Sequence, residues 1–232
     1  MVSGETGRTG REIQIESEEG AFAAYLAVPA TGTGPGVLVL QEWWGLVPHI
    51  RDVCDRLARA GFVALAPDLY RGESTSDPDE AGRLMMALEI ERAGRDLEAA
   101  VEALRRQPET SGSRVGCIGF CMGGQLALYA ACRCEPIAAV VDCYGVHPNI
   151  SLDLERCGAK VLGIFAENDD FIPASAVRAL EADLEAAGVE ARLQTYVGVQ
   201  HAFMNESRLE VYEAETAARA WRDVETFFEA EL

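Results

Sequence analysis

The sequence is nearly devoid of lysine and poor in basic residues altogether. Of its 232 residues only 20 are lysine or arginine, with Lys160 the one lysine, whereas 38 are aspartate or glutamate. The net charge of −18 argues against a nucleic-acid-binding protein, because phosphates require a basic face, and against attachment to an anionic membrane. An acidic, lysine-poor surface is compatible with adaptation to high salt or with a compositional bias that favours solubility.

Long hydrophobic runs are also missing. Hydrophobic residues make up 49% of the chain but occur in short blocks, none of which approaches the roughly 18 residues that span a bilayer. Residues 1–19 are polar and contain no apolar segment of a secretory signal, so we expect a cytoplasmic protein. Seven cysteines form an odd set that suits a reducing compartment, and no ligand spacing typical of zinc occurs. We therefore predict no metal and no cofactor.

What the sequence does contain is an alternation of short apolar blocks with segments of helical spacing. The blocks predict strands at residues 21–28, 37–40, 62–66, 115–119, 137–143, 161–166 and 191–197. The other segments predict helices at 47–60, 78–106 with a division near Gly94, 123–131, 173–187 and 209–230. This order predicts an α/β fold with a mainly parallel central sheet covered by helices on both faces. We expect a flexible tail at residues 1–12 and a single domain at residues 13–232.

One motif carries chemistry. Gly119-Phe120-Cys121-Met122-Gly123 joins a buried strand to a helix and has the spacing of a nucleophile elbow, Gly-x-Ser-x-Gly, with cysteine in place of serine. The turn is so sharp that the residues two before and two after the nucleophile must lack side chains. The pattern predicts a nucleophilic Cys121, a thiol pKa lowered by the helix N-terminus, and the Met122 N–H as an oxyanion donor. A tight turn that merely contains a cysteine is the alternative.

An acid and a histidine follow at the places where this fold would need them. Asp169 comes after the strand at 161–166, and His201 comes after the strand at 191–197, so both should lie at the same edge of the sheet as Cys121. The order nucleophile, acid, histidine is that of α/β-hydrolases. The adjacent Asp170 is an alternative acid. His49 and His147 are interpreted as structural.

Taken together, these motifs resemble the dienelactone hydrolase (carboxymethylenebutenolidase) family. The resemblance extends from about residue 24 to residue 228. The matching segments are Gln41-Glu42-Trp43-Trp44-Gly45, Ala66-Pro67-Asp68-Leu69-Tyr70, Gly119-Phe120-Cys121-Met122-Gly123-Gly124, Asp169-Asp170-Phe171-Ile172-Pro173 and His201-Ala202-Phe203. It implies an α/β-hydrolase fold without a separate cap domain.

The resemblance implies roles for individual residues. Cys121 would be the nucleophile and His201 the general base, and Asp169 would orient the imidazole, since the family's aspartate stands two residues before the phenylalanine. Glu42 would help convert the thiol to a thiolate when substrate binds. The Trp43 N–H would be the second oxyanion donor.

The resemblance also implies two arginines that hold a substrate carboxylate. Arg71 is a candidate for the first, but Asn205 stands where the second is expected, and Arg208 lies three residues later. Recognition of a carboxylate by paired guanidinium groups is therefore in question. Besides Arg71, the predicted substrate-binding residues are aromatic, with ordinary core packing as the alternative; they are Trp44, Tyr70, Tyr144 and Phe203.

These inferences predict a hydrolase of small esters or lactones that works through a Cys-His-Asp triad and a thioester acyl-enzyme. We expect a monomer or weak homodimer, with a small ester or lactone as the substrate and neither nucleic acid nor membrane as a partner. A general carboxylesterase or thioesterase with the same triad is the first alternative. The others are a non-catalytic ligand-binding relative and a redox-sensing protein built on Cys121 or on the Cys132 and Cys134 pair.

Overall fold

A computed structural model describes residues 10–232, which form one eight-stranded sheet and six α-helices. The strands are β1 (Arg11–Ile15), β2 (Phe22–Ala27), β3 (Gly34–Leu40), β4 (Val63–Pro67), β5 (Thr110–Phe120), β6 (Ile137–Cys143), β7 (Lys160–Asn168) and β8 (Ala191–Gln200). The helices are α1 (Pro48–Arg59), α2 (Pro78–Ala87), α3 (Ile90–Arg105), α4 (Met122–Arg133), α5 (Ala174–Ala186) and α6 (Ala214–Glu231). A short 3-10 helix occupies Leu154–Arg156.

The strand order is β1-β2-β4-β3-β5-β6-β7-β8, and only β1 and β2 run antiparallel to their neighbours. The parallel α/β sheet predicted from the apolar blocks is thus confirmed. The register of the strands positions the candidate site. Leu40, at the end of β3, pairs with Gly119 of β5, and Phe120, at the end of β5, pairs with Cys143 of β6. The segments that follow β3, β5 and β6 therefore leave the sheet side by side, at the edge where open parallel sheets bind ligands.

Helices cover both faces of the sheet, as predicted. Alternate side chains of β3 divide between two cores: Val37 and Val39 pack with α1 and α6, whereas Leu38 and Leu40 pack with α3 and α4. This period-two division follows from the pleat of the strand. Within residues 10–232 no helix combines the length and the apolarity that a membrane span requires.

Several predicted boundaries differ from the structure. The predicted tail comprises residues 1–12, of which residues 1–9 lie outside the described residues. Arg11 and Glu12, which were also predicted to belong to the tail, are part of the edge strand β1. The long helical segment divides at Leu88 and Glu89, where the backbone becomes extended, and Gly94 lies inside α3. A Cβ at Gly94 would come within 2.9 Å of the Arg133 side chain, so this glycine allows α3 to approach α4.

The last helix begins later than predicted, at Ala214 rather than at Leu209. Its N-cap is Glu213, whose carboxylate accepts a hydrogen bond from the Thr216 N–H at 2.8 Å. Leu209 belongs to a stretch of turns and is 82% exposed. Helical spacing in residues 209–213 was therefore misleading, because a side-chain cap fixes where the helix starts.

Candidate active site

The turn between β5 and α4 holds Cys121 in a strained conformation. Its φ of 52° and ψ of −119° are unfavourable for a residue with a side chain. A Cβ on Gly119 would lie 1.8 Å from the Gly123 carbonyl oxygen, and one on Gly123 would lie 2.4 Å from the Leu40 carbonyl oxygen. The steric reason predicted for the two flanking glycines is thus confirmed, and strain of this kind is characteristic of functional sites.

Backbone hydrogen bonds fix the Cys121 peptide on both sides. Its N–H donates to the Cys143 carbonyl at 3.0 Å, and its carbonyl accepts from the N–H groups of Gly124 at 2.9 Å and Val146 at 3.1 Å. The side chain is therefore held at one position relative to the ends of β5 and β6. Cys121 is 9% exposed, which leaves a small opening towards solvent.

The thiol of Cys121 is more basic than the sequence predicted. Burial raises its pKa well above the usual value, and the negative charge of Glu42 raises it further. The Met122 N–H at the start of α4 and the charge of Arg208 act in the opposite direction but are weaker. The predicted lowering of the thiol pKa is therefore wrong for the protein without substrate, because desolvation outweighs the helix N-terminus. The resting sulfur is a protonated thiol.

His201 is held by Asp169. The distance from His201 Nδ1 to Asp169 Oδ2 is 2.8 Å, and the other carboxylate oxygen, Oδ1, accepts from the N–H groups of Phe171 at 2.9 Å and Ile172 at 3.0 Å. When Nδ1 donates to this carboxylate, the other ring nitrogen, Nε2, is left free to act as a base. The side chain of Asp169 is fully buried, whereas Asp170 is exposed.

Glu42 is the second carboxylate of the site. It is 1% exposed, and its Oε2 accepts a hydrogen bond from Asn205 Nδ2 at 2.8 Å. Burial raises the pKa of Glu42 to about 7, and the charges of His201 and Arg208 together with the Asn205 hydrogen bond oppose that rise. Near neutral pH Glu42 is thus poised between its two protonation states.

Asn205 was noted in the sequence only for what it replaces, and its contact with Glu42 was missed. The carboxamide is itself fixed, because its Oδ1 accepts from the Ser207 N–H at 3.0 Å and from the Ser207 hydroxyl at 2.6 Å. The signal that could have found it is the position of Glu42 just after a buried strand, because a carboxylate that is buried there needs a hydrogen-bond donor. Asn205 follows His201 by four residues, in the turn after β8.

Aromatic side chains surround the imidazole. The rings of Tyr144 and Phe171 lie 5.0 and 4.9 Å from that of His201, and Phe203 packs 6.0 Å from Tyr144. Tyr144 has a φ of 43° and is completely buried, as is Phe203. The Tyr70 hydroxyl donates to Met122 Sδ at 3.1 Å. Of the predicted aromatic residues, Tyr144 therefore contacts the histidine and Tyr70 contacts the nucleophile loop, whereas Phe203 packs against Tyr144 and Tyr196.

Trp44 and Arg208 form one side of the site. Trp43 and Trp44 meet edge to face at 5.0 Å, and the Arg208 guanidinium lies 5.7 Å from the centre of the Trp44 ring. Arg208 also pairs with Glu210 at 2.8 Å. Its charge acts on both Cys121 and Glu42.

The side chain of Arg71 makes its contacts with residues other than the catalytic candidates. Its guanidinium binds both oxygens of Asp96 at 2.8 Å and donates to the carbonyl groups of Gly20 and Ala21 at 3.1 Å. Asp96 is 2% exposed, and a buried carboxylate requires a partner of opposite charge. The substrate-binding role predicted for Arg71 has to be corrected, since the arginine that follows Tyr70 balances a structural charge.

An open cavity of about 860 Å³ lies beside Phe171, whose ring contacts His201. Phe171 lines it together with Ile172 and Val146. Its other walls are the exposed face of α5 and the segment from His147 to Glu155. Cys121, Asp169 and His201 are not among the residues that line it.

The other two histidines, which the sequence analysis interprets as structural, have contacts of their own. His49 is buried on α1 against Phe120, with 6.1 Å between the ring centres, and burial lowers its pKa to about 4. His147 Nδ1 accepts from the Asn149 N–H at 3.1 Å. In the described part of the chain no three His, Cys, Asp or Glu side chains are grouped to hold a metal ion.

Comparison with known proteins gives the family. The model of the dienelactone hydrolase family matches residues 22–232. The chain belongs to the dienelactone hydrolase family. It is 36% identical to "Protein usf" of Aquifex pyrophilus over 96% of this chain and 99% of that protein. It is 35% identical, with the same coverage, to a protein of Aquifex aeolicus (strain VF5) named "Putative carboxymethylenebutenolidase".

A solved structure agrees with this assignment. The dienelactone hydrolase-like promiscuous phosphotriesterase P91 from metagenomic libraries superimposes with a TM-score of 0.85 and 26% identity, over 96% of this chain and 99% of that one. The resemblance inferred from the motifs is therefore confirmed. The fold is the α/β-hydrolase fold, and the family is one of hydrolases.

Proposed function

We propose that the protein hydrolyses small esters or lactones with Cys121 as the nucleophile, through a thioester acyl-enzyme. The observation that carries the proposal is the 2.8 Å contact of His201 with Asp169 beside a strained cysteine at the N-terminus of α4. Nucleophile, base and orienting acid follow one another in the order expected for an α/β-hydrolase. The dienelactone hydrolase family model supports the reaction class.

Acylation begins with loss of the Cys121 proton. The resting thiol has a raised pKa, so a base must take the proton as the sulfur attacks. His201 Nε2 is free for this role because Nδ1 is engaged by Asp169. Glu42, with a pKa near 7 and a charge that acts on Cys121, is a second acceptor on the same side of the sheet.

The new S–C bond places negative charge on the former carbonyl oxygen. The Met122 N–H, at the first position of α4, and the Trp43 N–H would stabilise this oxyanion. When the intermediate collapses, the C–O bond breaks and the alkoxide takes the proton from His201. In a lactone the leaving alcohol stays attached to the acyl group.

Hydrolysis of the thioester completes the cycle. His201 removes a proton from water, the hydroxide adds to the thioester carbonyl, and the C–S bond breaks. The Cys121 thiolate then recovers a proton from His201. Because Asp169 accepts two backbone N–H groups as well as the imidazole, the ring keeps one orientation through both halves of the cycle.

The charge of the site favours substrates without a free carboxylate. Arg71 is committed to Asp96, and Asn205, a neutral residue, binds Glu42. Arg208 supplies a positive charge, but its guanidinium group forms an ion pair with the carboxylate of Glu210. We therefore propose neutral esters and lactones as better substrates than carboxylate-bearing lactones. A comparison of kcat/KM for p-nitrophenyl acetate, γ-butyrolactone and the cis- and trans-dienelactones tests this, and a strong preference for the dienelactones would contradict it.

Cys121→Ala tests the nucleophile. We expect p-nitrophenyl acetate hydrolysis to fall at least about a thousandfold while circular dichroism and Tm stay unchanged. Intact-mass spectra of the natural protein, quenched in acid during turnover of the ester, should contain the acetyl adduct, and peptide mapping should locate it on Cys121. Cys134→Ala is the matched control and should keep full activity. Turnover retained by Cys121→Ala, or an acetyl group on another residue, would rule out the mechanism.

A further inference from the structure

The crossover from β6 to β7 leaves part of the sheet without a covering helix. Parallel strands are usually joined by a connection that contains an α-helix. In this crossover, residues 144–159, the helical structure is limited to the 3-10 helix Leu154–Arg156, which packs against α4. The helix that follows β7, α5, has Leu184 as its one buried residue, so much of its surface stays exposed. The cavity of about 860 Å³ is the gap between this crossover and α5.

The walls of this cavity are mainly apolar. Three carboxylates, those of Asp153, Glu155 and Asp183, also line it, whereas the described lining contains no lysine or arginine. A phosphate or carboxylate group would therefore be repelled and would find no cation to pair with. The lining instead fits an uncharged apolar group. Aliphatic and aromatic side chains come from the crossover, from β7 and from α5; they include Ile150, Leu152, Phe165, Ile172, Val177 and Leu180.

Two contacts connect the cavity to the proposed active site. The ring of Phe171 lines the cavity, and its centre lies 4.9 Å from that of the His201 ring. The N–H of Val146, a second lining residue, donates to the carbonyl oxygen of Cys121 at 3.1 Å. Phe171 is 59% exposed, and exposed side chains change rotamer within nanoseconds. The cavity is thus separated from the imidazole by one side chain that is free to turn.

We infer that this cavity binds the uncharged aliphatic chain of an ester substrate, which reaches it past Phe171. The inference rests on the proposed function, because it names the class of ester that the Cys121 site hydrolyses. The chain would lie along α5, whose lining residues run from Ala176 to Ala187 and extend over about 16 Å. Esters with a medium-length chain are then better substrates than acetates, because each methylene group that enters the cavity leaves water.

A series of chain lengths measures the effect. For p-nitrophenyl esters from acetate to octanoate, kcat/KM should rise about twofold per methylene group, less than the roughly fourfold of complete burial because the cavity is open. The change should lie mainly in KM, since the chain is remote from the reacting atoms. Octyl acetate compared with ethyl acetate places the chain on the alcohol, so the series that rises identifies which part of the ester the cavity holds. A flat or falling response in both series would overturn the inference.

Ala176→Trp tests whether this cavity is responsible. Ala176 is exposed on the side of α5 that lines the cavity, so an indole there fills the space without disturbing the core. The rise from acetate to octanoate should disappear, whereas hydrolysis of p-nitrophenyl acetate should stay nearly unchanged. Ala182→Trp is the matched control, because Ala182 is exposed on the same helix but does not line the cavity. The same chain-length response in both variants would show that the chain binds elsewhere.

A binding measurement separates failure of this inference from failure of the proposed function. The probe is 1-octanol, an uncharged chain without an ester group, titrated into each protein and followed by calorimetry. Ala176→Trp should bind it at least about tenfold more weakly than the natural protein and Ala182→Trp, which corresponds to the loss of about two buried methylene groups. Octanol binding of this pattern without any ester hydrolysis would refute the Cys121 mechanism and support the cavity as a chain site. Normal turnover of p-nitrophenyl acetate without octanol binding would overturn the cavity assignment alone.

Discussion

At Glu42, desolvation and hydrogen bonding act against each other. Burial favours the neutral acid, whereas the Asn205 carboxamide and the nearby positive charges favour the carboxylate. The balance sets the pKa near 7, where the group can accept a proton from Cys121 and return it. A carboxylate with such a pKa beside a thiol of raised pKa is consistent with a base that acts only when substrate is present.

Asn205→Ala should move the acidic limb of the kcat/KM profile to higher pH by about 1 unit. The hydrogen bond from Asn205 lowers the pKa of Glu42, so its loss raises that pKa and leaves less carboxylate at pH 7. The measurement is kcat/KM for a neutral ester between pH 5 and 9. Glu206→Gln, in the same turn but with an exposed side chain, is the control and should leave the limb in place. A profile that Asn205→Ala does not alter would exclude Glu42 from the proton transfer.

The candidate nucleophile and acid follow apolar strands, and the candidate histidine follows the edge strand β8. Because parallel strands end at one edge, the sequence could predict that the three residues lie there together. The contacts and the burial of the residues around the candidate site could not be predicted from the order of the strands. Whether Arg71 serves substrate or Asp96 depends on which side of α3 faces it, and that depends on tertiary packing. The pKa of Cys121 likewise depends on the depth of burial, which a five-residue motif does not record.

At the scale of elements, the elbow between β5 and α4 depends on close approach of three backbones. Gly123 touches the carbonyl groups of Leu40 and Gln41 at the end of β3, so the first turn of α4 sits directly on the segment that carries Glu42. A change in this packing would displace the proposed nucleophile together with the proposed oxyanion donors.

Gly123→Ala should therefore destabilise the fold and abolish activity. The added Cβ would lie 2.4 Å from the Leu40 oxygen and 2.6 Å from the Gln41 oxygen, and both are backbone atoms that cannot move aside. We expect a loss of about 1–3 kcal/mol in urea unfolding and at least a hundredfold fall in kcat. Gly158→Ala is the control, because a Cβ there meets nothing within 4 Å. Equal activity of the two variants would show that the elbow does not need its glycine.

The strands of the sheet were predictable for a related reason. Central parallel strands such as β6, Ile137–Cys143, are apolar on both faces and stand out in the sequence. Edge elements do not: β1 is polar and largely exposed, and β8 alternates without a continuous apolar block. Helix ends were displaced where a side chain decides them, as Glu213 does for α6.

For the whole molecule, the packing of the 3-10 helix Leu154–Arg156 against α4 illustrates what only the fold can supply. Strand β6 lies between the two segments in the sequence, and no local pattern links them. They meet because the crossover from β6 to β7 returns over α4. In the same way, the acidic composition indicated a charged surface but not that two carboxylates, Glu42 and Asp142, lie buried near the carboxyl ends of β3 and β6, on either side of β5.

These two carboxylates make stability depend on pH in an unusual direction. Burial raises the pKa of Asp142 to about 7, and both of its oxygens lack a hydrogen-bond partner by strict geometry, although the nearby Gly145 N–H lowers the pKa slightly. Glu42 has a similarly raised pKa. Between about pH 4 and 7 the folded protein binds more protons than the unfolded chain, so their contribution to stability is complete at low pH and is lost as the pH rises through 7.

Asp142→Asn should remove part of the loss of folding stability that occurs as the pH rises through 7. An amide has the same shape and no charge to desolvate, so the variant should match the natural protein near pH 4 and become more stable above pH 7, by up to about 4 kcal/mol. Urea unfolding at pH 4.5, 6 and 8 measures the difference. Glu135→Gln, at an exposed turn beyond α4, removes the same charge and should give no such pH-dependent gain. If Asp142→Asn instead loses stability at pH 8, the carboxylate must be ionised and satisfied in the fold, and its burial is then a favourable interaction rather than a cost.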